Sequence, residues 1–384
     1  MALVADTSLA SFDQGGNRED LSDVFNLLVQ HNHRSVTNAI GIKGEAAKAT
    51  KHQWVEGELG GMTSALNGAL NTTATTANVA TGDGVKFRIG TLFKISGNNP
   101  EVLQVTSITA DALTVVRGYG STSDPGTNYA DASVIEIISH PVQEDADIAT
   151  TGRFAEIVRA TAYNYTQKFF DYTQVSDTQE AVDKAGVDSE LTFQVQAKLE
   201  KLWRELNRSL IYGIRSADAG GAASYRSMGG IYEFVTAAGG NATDAAAAAV
   251  TYKLLRAEMK DAYDDGGNID LIVCGTTQKA KISDIYVELR RMERKDSGMG
   301  YIVETVLTDF GEARLVLDTT LEADKVLFLD STRLRALPLQ NLAMSMEDVA
   351  RTGLARKKMI SGEYTMEIMN ATKAFSVLYN LSTA

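Results

Sequence analysis

Three features of this sequence predict an α+β fold with a small all-β domain set into it. They are a long amphipathic helical pattern in mid-chain, strand-like runs on both sides of it, and short β-rich runs separated by turn residues between positions 71 and 139. The helix carries the strongest signal. Leu191, Val195, Leu199, Leu202, Leu206 and Leu210 recur at three- and four-residue spacings and share one face. Trp203 and Ile211 widen the stripe, while Lys198, Glu200, Lys201, Arg204, Glu205 and Arg208 fall away from it. Asp188 and Ser189 are N-cap residue types, and Glu190 puts a carboxylate in the first turn, where the helix dipole favours it. At ~1.5 Å per residue, the predicted rod from Asp188 to Arg215 is about 40 Å long.

Before the helix, residues 1–50 offer little to bury. Ser22–His31 has a short helical pattern through Val24, Leu27 and Leu28, followed by the small and polar run GIKGEAAKAT. Such a segment reads as an arm that finds partners on other chains or along its own surface. Lys51–Leu59 reads as extended, with Trp54 and Val55 among charges. Four β-rich runs follow, Val85–Ile95, Glu101–Ile108, Ala112–Arg117 and Ala132–Ile138, which predict a small antiparallel barrel or sandwich. The acidic stretch Glu144, Asp145 and Asp147 leads into strand-like runs at Ile157–Phe170 and Asp171–Val175. If these pair with the Trp54 strand, the β domain lies at the tip of a long two-stranded loop.

Beyond the helix, Ser216–Gly240 is a Gly/Ala-rich connection holding the apolar piece Ile231–Val235. Ala245–Tyr263 reads as a helix capped by Thr243 or Asp244 and stopped at Gly266 and Gly267. A buried strand, Ile269–Cys274, then a helix, Gln278–Leu289, give the texture of a mixed domain. A charged loop with Arg290 and Arg291 precedes strands at Tyr301–Thr308, Ala313–Leu317, Lys325–Leu329 and Leu334–Leu337. The end reads as a hairpin, Met359–Met369 and Lys373–Tyr379, turning near Asn370 and Ala371.

A net charge of -12 and a single cysteine exclude several classes. A dedicated nucleic-acid binder carries excess Lys and Arg. One cysteine cannot form an internal disulfide, which fits folding in a reducing compartment. No apolar run is long enough for a membrane span, and the opening residues lack the basic and apolar regions of a signal peptide.

The sequence holds no phosphate loop, no HExxH and no paired CxxC. Asp309-Phe310-Gly311 matches a kinase tripeptide without its companion motifs and reads better as a turn between two strands. His31, His33, His52 and His140 have no cysteine partners and read as solvated polar residues, and Cys274 as a small core residue. Neither a metal nor a cofactor is expected. The basic run Arg351, Arg356, Lys357 and Lys358 has two readings: a solvated strand edge, or a docking face for acids such as Glu144, Asp145 and Asp147 of a neighbouring chain. With Trp54, Glu56, Arg290 and Arg291, these residues form the set of candidate inter-subunit contacts.

The C-terminal third carries a resemblance. Thr308-Asp309-Phe310-Gly311, the run KVLFLDSTRLRALPL, and Thr352, Gly353, Lys357 or Lys358, Glu363, Tyr364, Thr365, Asn370 and Ala374 in the closing segment resemble major capsid proteins of tailed bacteriophages. His52 and Trp54, and Asn164-Tyr165-Thr166-Gln167, resemble that family's strands flanking its extended loop. The resemblance spreads over most of residues 50–380 and implies the HK-ninety-seven-like capsid fold. On this chain it would give an N-terminal arm (1–50), an extended loop (51–175) containing the inserted β domain (71–139), and a peripheral domain (176–219) with the spine helix (188–215). An axial domain (220–335) and C-terminal peripheral strands (336–384) would complete it.

It implies a non-enzymatic subunit that assembles into hexamers and pentamers of an icosahedral shell around double-stranded DNA. Localisation would be the virion, with assembly in the host cytoplasm, and a scaffolding protein, a portal and a decoration protein as further partners. Some relatives crosslink a lysine of the extended loop to an asparagine; Lys86, Lys94, Asn370 and Asn380 exist, but nothing marks a reactive pair, and no crosslink is expected. Two other readings stand beside this one: an encapsulin-like cargo shell, and a hydrolase using dispersed acids such as Glu56, Glu58 and Asp309.

Overall fold

The computed structural model describes residues 33–42, 45–57, 61–96, 101–122, 128–144, 159–182, 187, 189–217, 225–237, 239–289, 305–351 and 353–383. The chain forms two compact units, Val55–Thr161 and the remainder. The predicted helix at Ser22–His31, the loop 290–300 and the start of the strand predicted at Tyr301 lie outside the described residues.

In the larger unit the chain begins with helix α1 (Ser35–Ile40), which buries Val36 and Ile40, and strand β1 (Lys51–Glu56). The smaller unit follows with β2 (Thr63–Ala65), β3 (Thr76–Asn78), β4 (Leu92–Ile95), β5 (Val102–Thr109), β6 (Ala112–Val116) and β7 (Val134–Ser139). These pair in the order β2-β7-β4-β5-β6-β3. The two outermost strands are joined by the antiparallel bridge Leu66–Val79, with Ala80 N donating to Ala65 O at 2.8 Å and Asn67 N to Asn78 O at 2.9 Å. Among the described residues this contact closes the sheet into a six-stranded barrel. Phe93, Ile95, Leu103, Leu113 and Ile135 fill it. The β-rich run expected over Val85–Ile95 is strand only from Leu92, because a 3-10 turn at Asp83–Lys86 and a positive φ at Gly90 break the extended backbone before it.

Returning to the larger unit, β8 (Ala160–Tyr165) pairs with β1, as the flanking-strand reading expects. Then come β9 (Gln167–Ser176), helix α2 (Asp177–Ala181) and the spine helix α3 (Glu190–Tyr212). Ser189 caps α3 by accepting from Thr192 N, and the helix ends at Gly213. Gly213 is required there: a Cβ would meet Met228 O at 2.4 Å, because Gly230 N reaches back to Gly213 O at 2.7 Å. Short β10 (Ser216–Ala217) and β11 (Arg226–Ser227) lead to α4 (Ile231–Val235).

Strand β12 (Asn241–Asp244), helix α5 (Tyr252–Asp264), β13 (Leu271–Cys274), α6 (Thr276–Leu289), β14 (Thr305–Thr308), β15 (Gly311–Leu317) and β16 (Val326–Leu329) build a mixed layer. Residues 308–311 make the tight β14–β15 hairpin expected of the DFG tripeptide. The predicted helix start at Ala245 is corrected: the helix begins at Tyr252, capped by Thr251. Asp244 accepts from Ala246 N at 2.7 Å and from Asn380, and Ala246 and Ala247 take positive φ. Here tertiary pairing overrides alanine's helix propensity.

The chain closes with β17 (Leu334–Pro338), β18 (Ser345–Val349), β19 (Ala355–Ile368), α7 (Ala371–Ala374) and β20 (Ser376–Tyr379). The expected terminal hairpin does not form. β19 lies between β9 on one edge and β17 and β18 on the other, whereas β20 enters the six-stranded sheet β12-β20-β16-β13-β15-β14. Both strands still bury residues in the core that holds the α3 leucines, which includes Phe169, Ile360, Met366, Ile368, Phe375 and Val377.

Candidate assembly surfaces

Two buried polar networks bring together segments distant in sequence. Asn207, fully buried on the apolar face of α3, accepts from Thr37 N and Thr37 Oγ1, each at 3.0 Å. Its amide donates to Asp318 Oδ2 and Thr320 Oγ1 at 2.9 Å, and Asp318 also accepts from Val36 N. His33 and Arg34 meet Glu200 at 3.2 and 3.0 Å. Residues 33–40 are thus strapped along the spine helix of their own chain. The other network centres on Glu363, which accepts from Thr166 Oγ1 at 2.5 Å and Arg226 Nη2 at 2.7 Å. Beside it, Asn164 donates to Met366 O and Gly229 O, and His52 meets Glu367 at 3.3 Å. These contacts lock the roots of β1 and β8 onto β19.

The outward-facing groups are different in character. Strand β9 alternates strictly: Phe169, Thr173 and Val175 are buried, whereas Phe170 and Tyr172 are 58 % and 54 % exposed with rings 6.4 Å apart. On β18 every residue is exposed, Met346 and Val349 included. Exposed aromatic side chains of this kind are the anchors of protein interfaces. Sequence reading passed over them, although the alternation in QKFFDYTQVS was a legible signal.

The candidate contact residues fall into three groups. Trp54 is corrected from surface to core: it is 6 % exposed and stacks near Phe234, because β1 turns it inward. Glu56 is half-buried and lines an open depression of ≈ 520 Å³ with Val55, Gly57 and Arg159. Arg351 and Arg356 remain exposed but both pair with Asp177 of their own chain, and Lys358 lies 3.5 Å from Asp348. Lys357 is half-buried beside them and Glu144 is exposed. Asp145, Asp147, Arg290 and Arg291 lie outside the described residues.

The histidines are also corrected. His33, His52 and His140 are not solvated side chains but partners of Glu200, Glu367 and Thr91, and burial followed by the Arg88 charge lowers the His140 pKa. Cys274 is wholly buried with its thiol pushed up to about 12 by desolvation, as a core residue should be. Among the described residues no group of acids, histidines or cysteines could hold a metal, and no helix is long and apolar enough to cross a membrane.

A long helix packed on a four-stranded sheet, a second, six-stranded mixed sheet and the paired strands β1 and β8 make up the fold, and solved capsids share it. The capsid of Myoviridae Phage XM1 superposes with a TM-score of 0.52 at 10% identity, covering 96% of this chain and 100% of that one. The native GTA particle capsid gives 0.51 at 8% identity over 99% and 100%, and the Cyanophage A-1(L) capsid 0.50 at 12% over 64% and 85%. The fold is therefore that of phage capsid proteins. The family model of the SU10 major capsid protein matches residues 7–382, and the chain belongs to that family. It is a phage major capsid protein, a structural component of the virion shell. No curated protein matches it.

Proposed function

We propose that this chain is the repeating tile of an icosahedral head that holds double-stranded DNA, forming hexamers and pentamers without catalysis. The observation that supports this reading is the single core shared by α3 and β19, which makes one stiff plate. In this reading residues 1–50 are the arm, 51–175 the extended loop with its inserted barrel (71–139), and 176–219 with 336–384 the peripheral domain. Residues 220–335 are the axial domain, completed by β20. An acidic subunit suits a container that must not trap a polyanion. Assembly takes place in the host cytoplasm, where scaffolding, portal and decoration proteins are the further partners.

Electron microscopy of the purified chain tests the tile: closed shells are expected, and a chain monomeric at all concentrations overturns it. Nucleic acid inside native particles is expected, and protein cargo in its place would instead indicate a storage compartment. Trimming residues 71–139 to a short linker should leave the rest folded by circular dichroism while weakening shells.

A further inference from the structure

The turn beside the barrel's closing bridge carries a reactive pair. Asn67 and Gly68 lie between the Leu66–Val79 and Leu70–Tyr129 bridges, and both are exposed. This is the one place in the chain where glycine follows asparagine. The backbone nitrogen after an asparagine can close a five-membered ring on its side chain, and a β-carbon on that next residue is the main obstacle. Gly68 has none, its φ is +99°, and nothing lies within 4 Å of where a Cβ would stand. The Asn67 main chain is anchored, with its N donating to Asn78 O at 2.9 Å. Its side-chain amide makes no hydrogen bond to the described residues and can swing toward Gly68.

What sets this turn apart is the acceptor of the Gly68 N–H. It is a carboxylate oxygen, Asp131 Oδ1, at 2.7 Å. Ring closure requires that nitrogen to lose its proton as it attacks, and a carboxylate within hydrogen-bond reach can take it. Asp131 is itself held in place. The same oxygen accepts from Ala132 N at 2.9 Å, and Ala132 N also reaches Leu66 O at 3.0 Å. Leu70 and Tyr129 exchange both backbone hydrogen bonds, at 2.9 and 3.0 Å. Residues 66–70 and 129–132 are thus clamped together, which keeps base and nitrogen in contact.

We propose that Asn67 is a self-modification site, deamidating in the folded chain with Asp131 as the base. Gly68 N bonds to Asn67 Cγ while its proton passes to Asp131. The Cγ–Nδ2 bond then breaks, the proton goes to the departing nitrogen, and ammonia leaves. Water opens the resulting succinimide at either carbonyl, giving aspartate or isoaspartate; water is the only co-reactant. Either product sets a new carboxylate near Asp131, and isoaspartate also adds one carbon to the main chain between the two bridges. Charge repulsion and the longer turn both loosen the Leu66–Val79 seam, so the barrel weakens as the protein ages. The chemistry needs no assembled shell.

Incubating the purified full-length chain in neutral buffer, with peptide mapping by mass spectrometry, tests it. The peptide holding residue 67 should show conversion to aspartate and isoaspartate, whereas the exposed Asn78, followed by Val79, stays intact. An Asn67 that lasts as long as Asn78 overturns the proposal. Asp131→Asn keeps an oxygen for Gly68 N but loses the base, so conversion should slow at least about tenfold with an unchanged far-ultraviolet spectrum. Its remaining rate should climb with pH between about 6 and about 7.5, where the wild-type rate varies little. A variant that converts as fast as wild type, or faster, overturns the role of Asp131 and means that the hydrogen bond protects the turn. In aged wild-type chain the Ala80 amide at the seam should exchange hydrogen at least about tenfold faster than in fresh chain. Equal exchange overturns the loosening of the barrel.

Discussion

Individual side chains carry two clear stability tests. In the barrel, Glu101 is fully buried and is gripped by Arg117, whose Nε and Nη2 donate at 3.0 and 2.6 Å, while Nη1 ties Asn71 O and Thr72 O. Arg117→Ala leaves a buried carboxylate without its cation and should cost about 3–5 kcal/mol, read from urea unfolding. Replacing both partners with apolar residues of matching size should recover most of that loss. The second test is Glu258 of α5, whose pKa burial raises despite the hydroxyl of Ser376 donating to it. An acid with a raised folded-state pKa holds its proton when the unfolded chain has lost it. Stability is therefore full below the ordinary carboxylate range and falls as pH rises through the folded-state value. Glu258→Gln should flatten that decline, checked by unfolding midpoints across pH 4 to about 8.

Neither residue could be singled out in the linear sequence. Glu101 and Arg117 look like ordinary strand-end charges, and Glu258 sits in a helix among other charges. Only the closure of the barrel and the packing of α5 on β20 bury them.

At the scale of elements, α3 is the part the sequence announces most plainly. Its repeat of leucines matched a helix whose Leu202, Leu206 and Leu210 are at most 2 % exposed. Leu206→Ala should cost about 2–5 kcal/mol in thermal unfolding, since the surrounding core cannot collapse fully around the void. Substituting Leu354, 86 % exposed, should change stability by less than ~0.5 kcal/mol. The β-rich texture of the smaller unit was equally legible, and so was the hairpin at Asp309 and Phe310. Less visible were β2 and β3, three residues each, too short to show alternation. The closing segment misled for another reason. Its two alternating runs look like hairpin partners, but alternation specifies which face is buried and says nothing about which strand lies alongside.

For the whole molecule the governing quantity is charge. Copies carrying -12 each repel one another, so assembly must outweigh that repulsion through short-range contacts. Raising salt from about 50 to about 300 mM, which shortens the screening length, should increase shell yield measured by light scattering. A yield that falls steadily with salt would instead mean that opposite-charge contacts dominate between copies.

By itself the sequence determined the class of fold, the spine, the barrel region and membership among capsid proteins. Those follow from periodicity and ordered motifs, which are local properties of a chain. The tertiary structure alone decided which histidines, acids and tryptophans are buried, that residues 33–40 lie on α3, and that β20 leaves β19 for another sheet. Several of those depend on pairings between residues more than 100 positions apart, such as Asn207 with Asp318, and no local pattern encodes a distant partner.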